Sequence, residues 1–231
     1  MSLRTARAHP AVGAPVLALV LALLAAPMAH ALPMGSPGDT MLMLDVGADE
    51  QELAANHALS GHHALGATTG RWREEQPHGS MHHERERRFT ALTSTHRLQR
   101  WNLPHAQANV WLVGQLGQVR GEGLGGTRTL ASVSLMADYE TTRVYLGGGW
   151  RPMRASGGLR HDTTWLRSGF SFYEAEYDAV QPWFILEAKQ TRNAHGSDTV
   201  LTPMLRFIHK RVFVEAGGNR KGSQVNLMLV F

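Results

Sequence analysis

The residues best suited to bind a metal ion lie in one short segment, His78-Gly79-Ser80-Met81-His82-His83. Neutral imidazoles bind zinc, copper(II) and nickel, and a thioether adds affinity for copper(I). The donors lack the fixed spacing of zinc fingers and of HExxH sites, so a polar surface loop without a ligand is the alternative. The segment predicts capture of copper or zinc by His78, Met81, His82 and His83, and no other cofactor is expected. A second, sparser group of histidines comprises His57, His62 and His63.

Two further pairs of residues have the chemistry of acid–base or nucleophilic catalysis. Ser94 and His96 are two residues apart, hence on one face of a strand, and His161 is followed directly by Asp162. The sequence contains no GxSxG nucleophile motif. The prediction is therefore a protein that is not an enzyme. A hydrolase or acyltransferase is the alternative, with no catalytic residue assigned.

The last segment of the chain, 224–231, alternates between apolar and polar residues and places Val225, Leu227, Leu229 and Phe231 on one face. Because successive side chains of a strand point to opposite faces, the two faces require different solvents, here lipid and water. A terminal Phe after such a strand resembles the assembly signal of bacterial outer-membrane β-barrel proteins. The resemblance implies a Gram-negative outer membrane, contact with its lipids, and passage through periplasmic chaperones and the barrel-assembly machinery.

Residues 1–31 have the pattern of a secretory signal peptide. Two arginines precede an apolar stretch at 11–26, and the small-residue triplet Ala29-His30-Ala31 follows. The apolar stretch is shorter than the about 20 residues that a spanning helix needs. We therefore expect cleavage after residue 31, which leaves residues 32–231 as one outer-membrane barrel domain.

The composition excludes several classes of protein. The 231 residues include no cysteine, so a disulfide framework is excluded, and the net charge is +4. No Lys/Arg-dense stripe with interleaved aromatic residues is present, so nucleic acid is not an expected partner. After the leader no run approaches the about 18 apolar residues of a spanning helix, and a closed barrel is the remaining way to cross a membrane. A soluble periplasmic β-protein is the alternative.

Alternation with period two recurs in segments of the length expected for tilted spanning strands, about 9 to 11 residues. The clear segments are 109–117, 131–139, 143–151, 166–173, 184–189, 201–207 and 212–217. The segments 41–46, 52–59, 64–72 and 88–98, with the terminal strand, bring the number to twelve. If 51–67 is a loop or plug instead, the number is ten. The predicted fold is an all-β, antiparallel up-and-down transmembrane barrel of twelve strands, with ten as the alternative.

The connections between these segments fall into two groups. Short turns are predicted at 102–105, 138–141, 176–179 and 209–211. They alternate with glycine-rich or polar loops at 121–126, 155–162, 193–197 and 219–223. Short periplasmic turns and longer outer loops are typical of outer-membrane barrels, and the histidine-rich segment is expected in the longest outer loop.

Seven charged residues fall on the polar faces of the predicted strands: Arg143, Arg151, Arg167, Glu187, Lys189, Arg206 and Glu215. An isolated charge in an apolar interior costs on the order of several kcal/mol, so these side chains must be hydrated or paired. One interpretation is a wet, conducting lumen, in which the excess of cations predicts a preference for anions. The other is a set of salt bridges that plugs a narrow barrel.

Two segments, 99–114 and 138–145, resemble those of a group of uncharacterised small outer-membrane proteins that are often encoded near heavy-metal-handling genes. This resemblance covers roughly half of the chain and implies no particular functional residue. The sequence therefore predicts an integral, porin-like outer-membrane β-barrel, either a small passive channel or a structural barrel, with a role in metal-ion handling.

Overall fold

The protein is a single closed β-barrel in which each strand runs antiparallel to its neighbours. The structure, a computed structural model, describes residues 33–78, 81–175 and 179–231, with the side chains of residues 75–78 and 81–83 outside the description. The predicted leader, residues 1–31, also lies outside it. Among the described residues no helix is long and apolar enough to cross a membrane.

Twelve strands form the barrel within the described residues. They are β1 Thr40–Val46, β2 Glu50–Ala58, β3 His63–His78, β4 Met81–Leu103, β5 Ala106–Gly121, β6 Arg128–Thr141, β7 Val144–Ala155, β8 Leu159–Ser171, β9 Gln181–Asn193, β10 Gly196–His209, β11 Val212–Asn219 and β12 Gly222–Val230. The prediction of an antiparallel up-and-down barrel of twelve strands is confirmed. The alternative of ten is wrong, because β2 pairs with β1 over residues 51–57 and with β3 over residues 50–58.

The barrel closes where β1 pairs with β12. Six residue pairs join the two strands, from Met41 opposite Val230 to Val46 opposite Val225. Thr40 and Phe231 extend the ladder, because each donates its backbone N–H to the carbonyl oxygen of the other, at 2.7 and 2.9 Å. Closure satisfies the hydrogen-bonding groups of both edge strands. We call the end of the barrel at which β1 begins and β12 ends the base, and the opposite end the mouth.

Side chains alternate across the wall as the period-two pattern predicts. In β6, Leu130, Ser132 and Ser134 face inward and are buried, while Val133 and Leu135 face outward and are about half exposed. The same division holds in β12, where Val225 is exposed on the outer face and Asn226 is buried inside. The outer surface is therefore apolar, and many of the buried side chains are polar.

The wall is much taller on one side than on the other. The strand β4 has 23 residues and β1 has seven. The pairing of β3 with β4 continues to His78 opposite Met81, beyond the last β2–β3 pair at Glu50 and Trp72. The segment predicted as the longest outer loop is thus the end of a β-hairpin that extends past the mouth. Near the base of β4, an irregularity between Arg97 and Gln99 inserts one residue and reverses which side chains face inward.

The connections differ from the predicted division into short turns and long loops. At the mouth, the connections at 156–158, 194–195 and 220–221 contain only two or three residues. Gly157 and Gly158 adopt φ of 87° and 85°, a left-handed backbone that allows so tight a hairpin. The predicted short turn at 176–179 instead belongs to the connection 172–180, where Tyr173 donates its hydroxyl to the carbonyl of Val180 at 3.1 Å. Residues 176–178 lie outside the description.

Candidate functional site: a cavity inside the barrel

A cluster of ion pairs occupies one side of the interior. Arg167 on β8 lies 2.6 Å from Glu187 on β9 and 3.3 Å from Glu215 on β11. Glu215 also accepts a hydrogen bond from Arg206 on β10 at 2.7 Å and one from Asn226 on β12 at 2.8 Å. Arg206 and Glu215 have no solvent-exposed surface. Five adjacent strands therefore each contribute one member to a continuous hydrogen-bonded network.

Arg206 is held between two aromatic rings at the lower edge of this network. Its guanidinium carbon lies 4.2 Å from the ring centroid of Tyr145 and 4.9 Å from that of Phe213. Rings at this distance attract a cation through their quadrupole, and the attraction is strongest where water is excluded. The two rings and Glu215 therefore stabilise the buried charge of Arg206, whose Nη1 and Nη2 have no hydrogen-bond partner among the described residues.

A second cluster of ion pairs spans the barrel from one wall to the other. Arg151 on β7 lies 2.5 Å from Glu50 and 2.6 Å from Glu52, both on β2, and Lys189 on β9 lies 2.5 Å from Glu50. These contacts connect strands that are not neighbours in the wall. Ion pairs therefore connect opposite walls of the barrel across its interior.

The carboxylates of β1 and β2 change the expected charge balance. Asp45 also lines the cavity, and among the described residues it has no hydrogen-bond or ion-pair partner. The carboxylates that line the cavity outnumber the lining cations by seven to six: Asp45, Asp49, Glu50, Glu52, Glu84, Glu187 and Asp198 against Arg73, Arg151, Arg167, Lys189, Arg206 and Lys221. The predicted preference for anions is thus not supported, because it was based on strands that omitted the acidic residues of β1 and β2.

The opposite side of the interior carries one buried ion pair near the mouth, Arg87 with Glu74 at 3.7 Å, and below it this side is polar but uncharged. Thr68 and Thr93 share a hydrogen bond of 2.9 Å, and Gln115 donates to Thr68 at 3.4 Å. Several buried polar atoms on this side have no hydrogen-bond partner among the described residues: Asn56 Oδ1, Gln115 Oε1, Ser134 Oγ, Thr163 Oγ1 and both ring nitrogens of His161, whose Nδ1 lies 4.0 Å from Glu74. Since buried polar groups are normally paired, these atoms are available to water or to a solute.

Between the two walls lies a cavity of about 600 Å³. Its lining extends from the mouth, at Asp49 and Lys221, to Met43, Tyr145 and Phe213 in the lower half of the barrel. This volume falls in the usual range of small-molecule sites, about 300 to 1,000 Å³. The cavity combines an ion-paired wall, an uncharged polar wall and an apolar floor.

Apolar side chains close the base below the cavity. Met34, from the segment before β1, packs in a buried cluster with Trp111, whose indole N–H donates to Asp138 at 2.7 Å. Two further buried clusters contain Met41, Phe213, Met228, Val230, Tyr145, Trp183, Ile185 and Met204. Most of these residues lie near the base ends of their strands. The cavity therefore opens at the mouth and has an apolar plug at the base.

A fourth apolar cluster fills the interior beside the upper part of the tall wall. Trp72, Phe89, Val119, Leu130 and Met153 are each at most 3% exposed. The indole of Trp72 donates to Glu74 at 2.9 Å and stacks on the ring of His161, with centroids 4.8 Å apart. This cluster narrows the mouth on one side, so access to the cavity is along the low wall formed by the short strands.

An ion-pair group at the rim joins the connections on the low side. Lys221, in the β11–β12 connection, lies 2.7 Å from Asp198 and also contacts Asp49. Burial lowers the pKa of Lys221, but its hydrogen bonds to the two carboxylates outweigh this and hold the pKa above its ordinary value. The rim is therefore fixed by charge and does not depend on long loops.

The structure places six of the seven predicted interior charges in the two ion-pair clusters. Arg143 is the exception, because β7 begins only at Val144 and Arg143 lies exposed in the preceding turn, where it donates to the carbonyl of Ser171 at 3.1 Å. On the last strand, Val225 and Phe231 are exposed on the outer face. Leu227 and Leu229 lie on the same face and are half-buried.

The structure also locates the two predicted catalytic pairs, but it does not describe the side chains of the predicted metal ligands. The side chains of His78, Met81, His82 and His83 lie outside the description, so metal capture there stays a prediction. Among the described residues no group of three or more His, Cys, Asp or Glu side chains could hold a metal ion. His161 faces inward, whereas Asp162 on the other face pairs with Arg154, so this pair is separated by the wall. Ser94 and His96 are joined by a hydrogen bond.

No family model and no curated protein matches the sequence. Among solved structures, the chain is similar to the KdgM porin in complex with disordered oligogalacturonate, at a TM-score of 0.48 and 10% identity over 84% of this chain and 98% of that one. It is similar to LpxR from Salmonella typhimurium at a TM-score of 0.47 and 9% identity, over 84% and 99%. CdiB from Acinetobacter baumannii aligns at a TM-score of 0.32 and 9% identity, over 84% and 60%. The function is therefore inferred from the geometry of the barrel itself.

Proposed function

We propose that the protein is an integral barrel of the bacterial outer membrane. The observation that carries this proposal is the distribution of apolar side chains, which are exposed on the outer face of most strands. They include Leu44, Leu53, Leu65, Leu92, Leu116, Val133, Leu135, Leu146, Trp150, Leu166, Phe170, Leu186, Leu201, Leu205, Phe207 and Val225. A soluble protein rarely exposes so large a continuous apolar surface, whereas a barrel in lipid requires one.

The proposed orientation follows from the direction of the terminal strand. If Phe231 acts as the assembly signal that it resembles, the base lies on the periplasmic side and the mouth faces the cell exterior. Trp101 and Tyr139, exposed near the base, would then belong to the periplasmic aromatic girdle. The proposal includes cleavage of the signal peptide, passage through the assembly machinery and a role in metal-ion handling.

Within the membrane, the geometry favours a plugged binding barrel over an open channel. The ion pairs neutralise most interior charges, and the apolar clusters at the base separate the cavity from that end. A cavity of about 600 Å³ with one carboxylate in excess and several free polar atoms suits a small polar solute that is neutral or cationic. The solute would enter from the cell exterior.

Conductance in planar bilayers tests the closed state. We expect the refolded wild type to insert, to show heat-modifiable gel mobility, and to give no steady single-channel current. A Trp111→Ala/Phe213→Ala variant removes side chains from two of the basal clusters and is expected to conduct. The matched control, Trp150→Ala/Phe170→Ala, truncates two outward-facing aromatic side chains and should stay closed. A steady current through the wild type would contradict the plugged barrel.

A further inference from the structure

Three polar side chains on the outer face of the barrel form a hydrogen-bonded chain that the cavity does not use. The hydroxyl of Ser94 lies 2.9 Å from Nε2 of His96, and Nδ1 of His96 lies 2.7 Å from Nδ1 of His63. Ser94 and His96 are on β4, and His63 is the residue of β3 directly opposite His96. The pairing register of the two strands therefore positions all three groups.

The hydroxyl and the two imidazoles in this hydrogen-bonded series are the groups that activation of a serine nucleophile requires. In a neutral imidazole, one nitrogen donates and the other accepts. When the Ser94 hydroxyl donates to Nε2 of His96, the proton of His96 is on Nδ1 and can be donated to Nδ1 of His63. A serine, a base that receives its proton, and a third group that orients the base form the general arrangement of hydrolytic triads.

The location of these three hydrogen-bonded side chains argues against a purely structural role. Leu65, directly opposite Ser94, is 53% exposed, and Leu92, two residues before Ser94 on the same face, is 74% exposed. In the proposed membrane placement these leucines contact acyl chains. Polar and ionisable side chains are costly in such surroundings, and a functional role is the default hypothesis when they occur there.

The wall also leaves room for a substrate next to the hydroxyl. Gly114 on β5 lies directly opposite Ser94 on the side away from His63. A Cβ atom at this position would meet only the backbone oxygen of Ser94, at 3.9 Å, so the surface beside the serine is open. An ester carbonyl can reach Ser94 from the lipid side while its acyl chain lies along Leu65 and Leu92.

We propose that Ser94 and His96 hydrolyse acyl esters of membrane lipids at the outer wall of the barrel. Ser94 Oγ attacks the carbonyl carbon as its proton moves to Nε2 of His96. The bond to the leaving alcohol then breaks, and the alcohol departs with that proton. Water attacks the acyl-serine and gives a proton to His96, the acyl–oxygen bond breaks, and Ser94 regains its proton as the carboxylic acid leaves.

His63 is a positioning residue in this scheme. It contacts neither the ester nor the attacking oxygen, and it holds the ring of His96 through Nδ1. An asparagine places its Oδ1 close to where Nδ1 of a histidine lies, and that oxygen can accept the same hydrogen bond. The His63→Asn variant should therefore preserve the orientation of His96, whereas His63→Ala should not.

Labelling with a fluorophosphonate probe in detergent micelles tests the nucleophile. The wild type should be labelled on Ser94, and Ser94→Ala should not be labelled. His96→Ala should slow labelling at least about 100-fold. His63→Ala should slow it by at least about tenfold, less than the about 10⁴-fold loss when a charged orienting aspartate is replaced, and His63→Asn should restore it. Ser168→Ala, which removes an exposed outward-facing serine on β8, is the matched control and should label as the wild type does.

Release of free fatty acid from phosphatidylethanolamine and phosphatidylglycerol vesicles that contain the protein tests the substrate class. Release that depends on Ser94 is expected. Absence of labelling at Ser94, or equal release by wild type and Ser94→Ala, would overturn the inference. The inference rests on the proposed membrane placement, and heat-modifiable mobility separates the two: a detergent-requiring barrel without labelling rejects only the hydrolase, whereas a protein that is soluble without detergent rejects the placement as well.

Discussion

The two walls of the cavity differ in how their polar groups are satisfied. On the charged wall, Arg167, Glu187 and Glu215 find their partners in one another at 2.6 to 3.3 Å. On the uncharged wall, Gln115 and Ser134 keep polar atoms that are buried and unpartnered among the described residues. In the charged clusters, Arg206 Nη1 and Nη2, Arg151 Nε and Asn226 Oδ1 also lack a hydrogen-bond partner among the described residues. The charged wall therefore cross-links the barrel through its ion pairs, while the uncharged wall offers a solute neutral hydrogen-bonding groups.

The largest effect is expected when the charged wall loses its central carboxylate. Glu215→Ala leaves Arg167 and Arg206 without their shared partner, and breaking a buried ion pair in this way costs about 3 to 5 kcal/mol. Urea unfolding in detergent measures the loss. Glu84→Ala is the matched control, because Glu84 and Arg73 are exposed and 3.8 Å apart, and such pairs contribute about 0 to 1 kcal/mol. Equal losses for the two variants would remove the distinction between the ion-pair cluster and ordinary surface pairs.

A charge placed on the outer surface should be nearly as damaging as a charge left unpaired inside. Leu166 is 66% exposed and is separated from the charged wall only by the thickness of β8. Leu166→Arg should lower the free energy of unfolding into the aqueous phase by about 2 to 4 kcal/mol if the residue lies near the bilayer midplane. Refolding titrations in lipid vesicles measure this. Gln118→Arg, on the outer face near the mouth end of β5, should cost about 0 to 1 kcal/mol. A harmless Leu166→Arg substitution would argue against lipid contact.

The uncharged wall should tolerate change much better. Thr93→Val removes the 2.9 Å hydrogen bond to Thr68 and is nearly isosteric, so the expected loss is about 1 kcal/mol. The same urea unfolding assay compares this variant with Glu215→Ala. A loss as large as that of Glu215→Ala would show that both walls stabilise the barrel equally.

The smallest effect on the barrel is expected from the end of the β3–β4 hairpin. Replacing His78, Met81, His82 and His83 together by Ala should leave the free energy of unfolding unchanged, because this hairpin end extends beyond the pairing of β2 with β3. Copper or zinc titration of the same variant tests the metal prediction. A lower affinity than that of the wild type is expected, and equal affinity would end the proposal of specific capture.

The alternation of single strands predicted the fold, because the two faces of a barrel strand meet different solvents along its whole length. It also predicted that Arg167 and Glu187 face inward. It missed Glu50 and Glu52, since the segment 52–59 suits a short helix as well as a strand. The partner of both carboxylates, Arg151, is about 100 residues away in the chain, at separations of 101 and 99. A signal was nevertheless present, because the two glutamates are two residues apart and hence share one face.

The alternation pattern does not predict the lengths of the connections or the grouping of Ser94, His96 and His63, for a different reason. Loop length was inferred from polar and glycine-rich composition, but residues 156–158 form a tight hairpin because two adjacent glycines adopt a left-handed backbone. Ser94 and His96 could be placed on one face from their spacing. His63 could not be added, because its position depends on the pairing register between β3 and β4.

The opposite solvents of the two faces can be measured directly, because the chain has no native cysteine and single cysteines can be spin-labelled without background. Leu166→Cys places a label on the outer face, and Val200→Cys places one on the cavity lining. In lipid vesicles, we expect the label at 166 to be relaxed mainly by oxygen, which concentrates in the bilayer, and the label at 200 mainly by a water-soluble nickel chelate. The reverse result, or equal access of the chelate to both labels, would contradict a barrel with lipid outside and a polar cavity within.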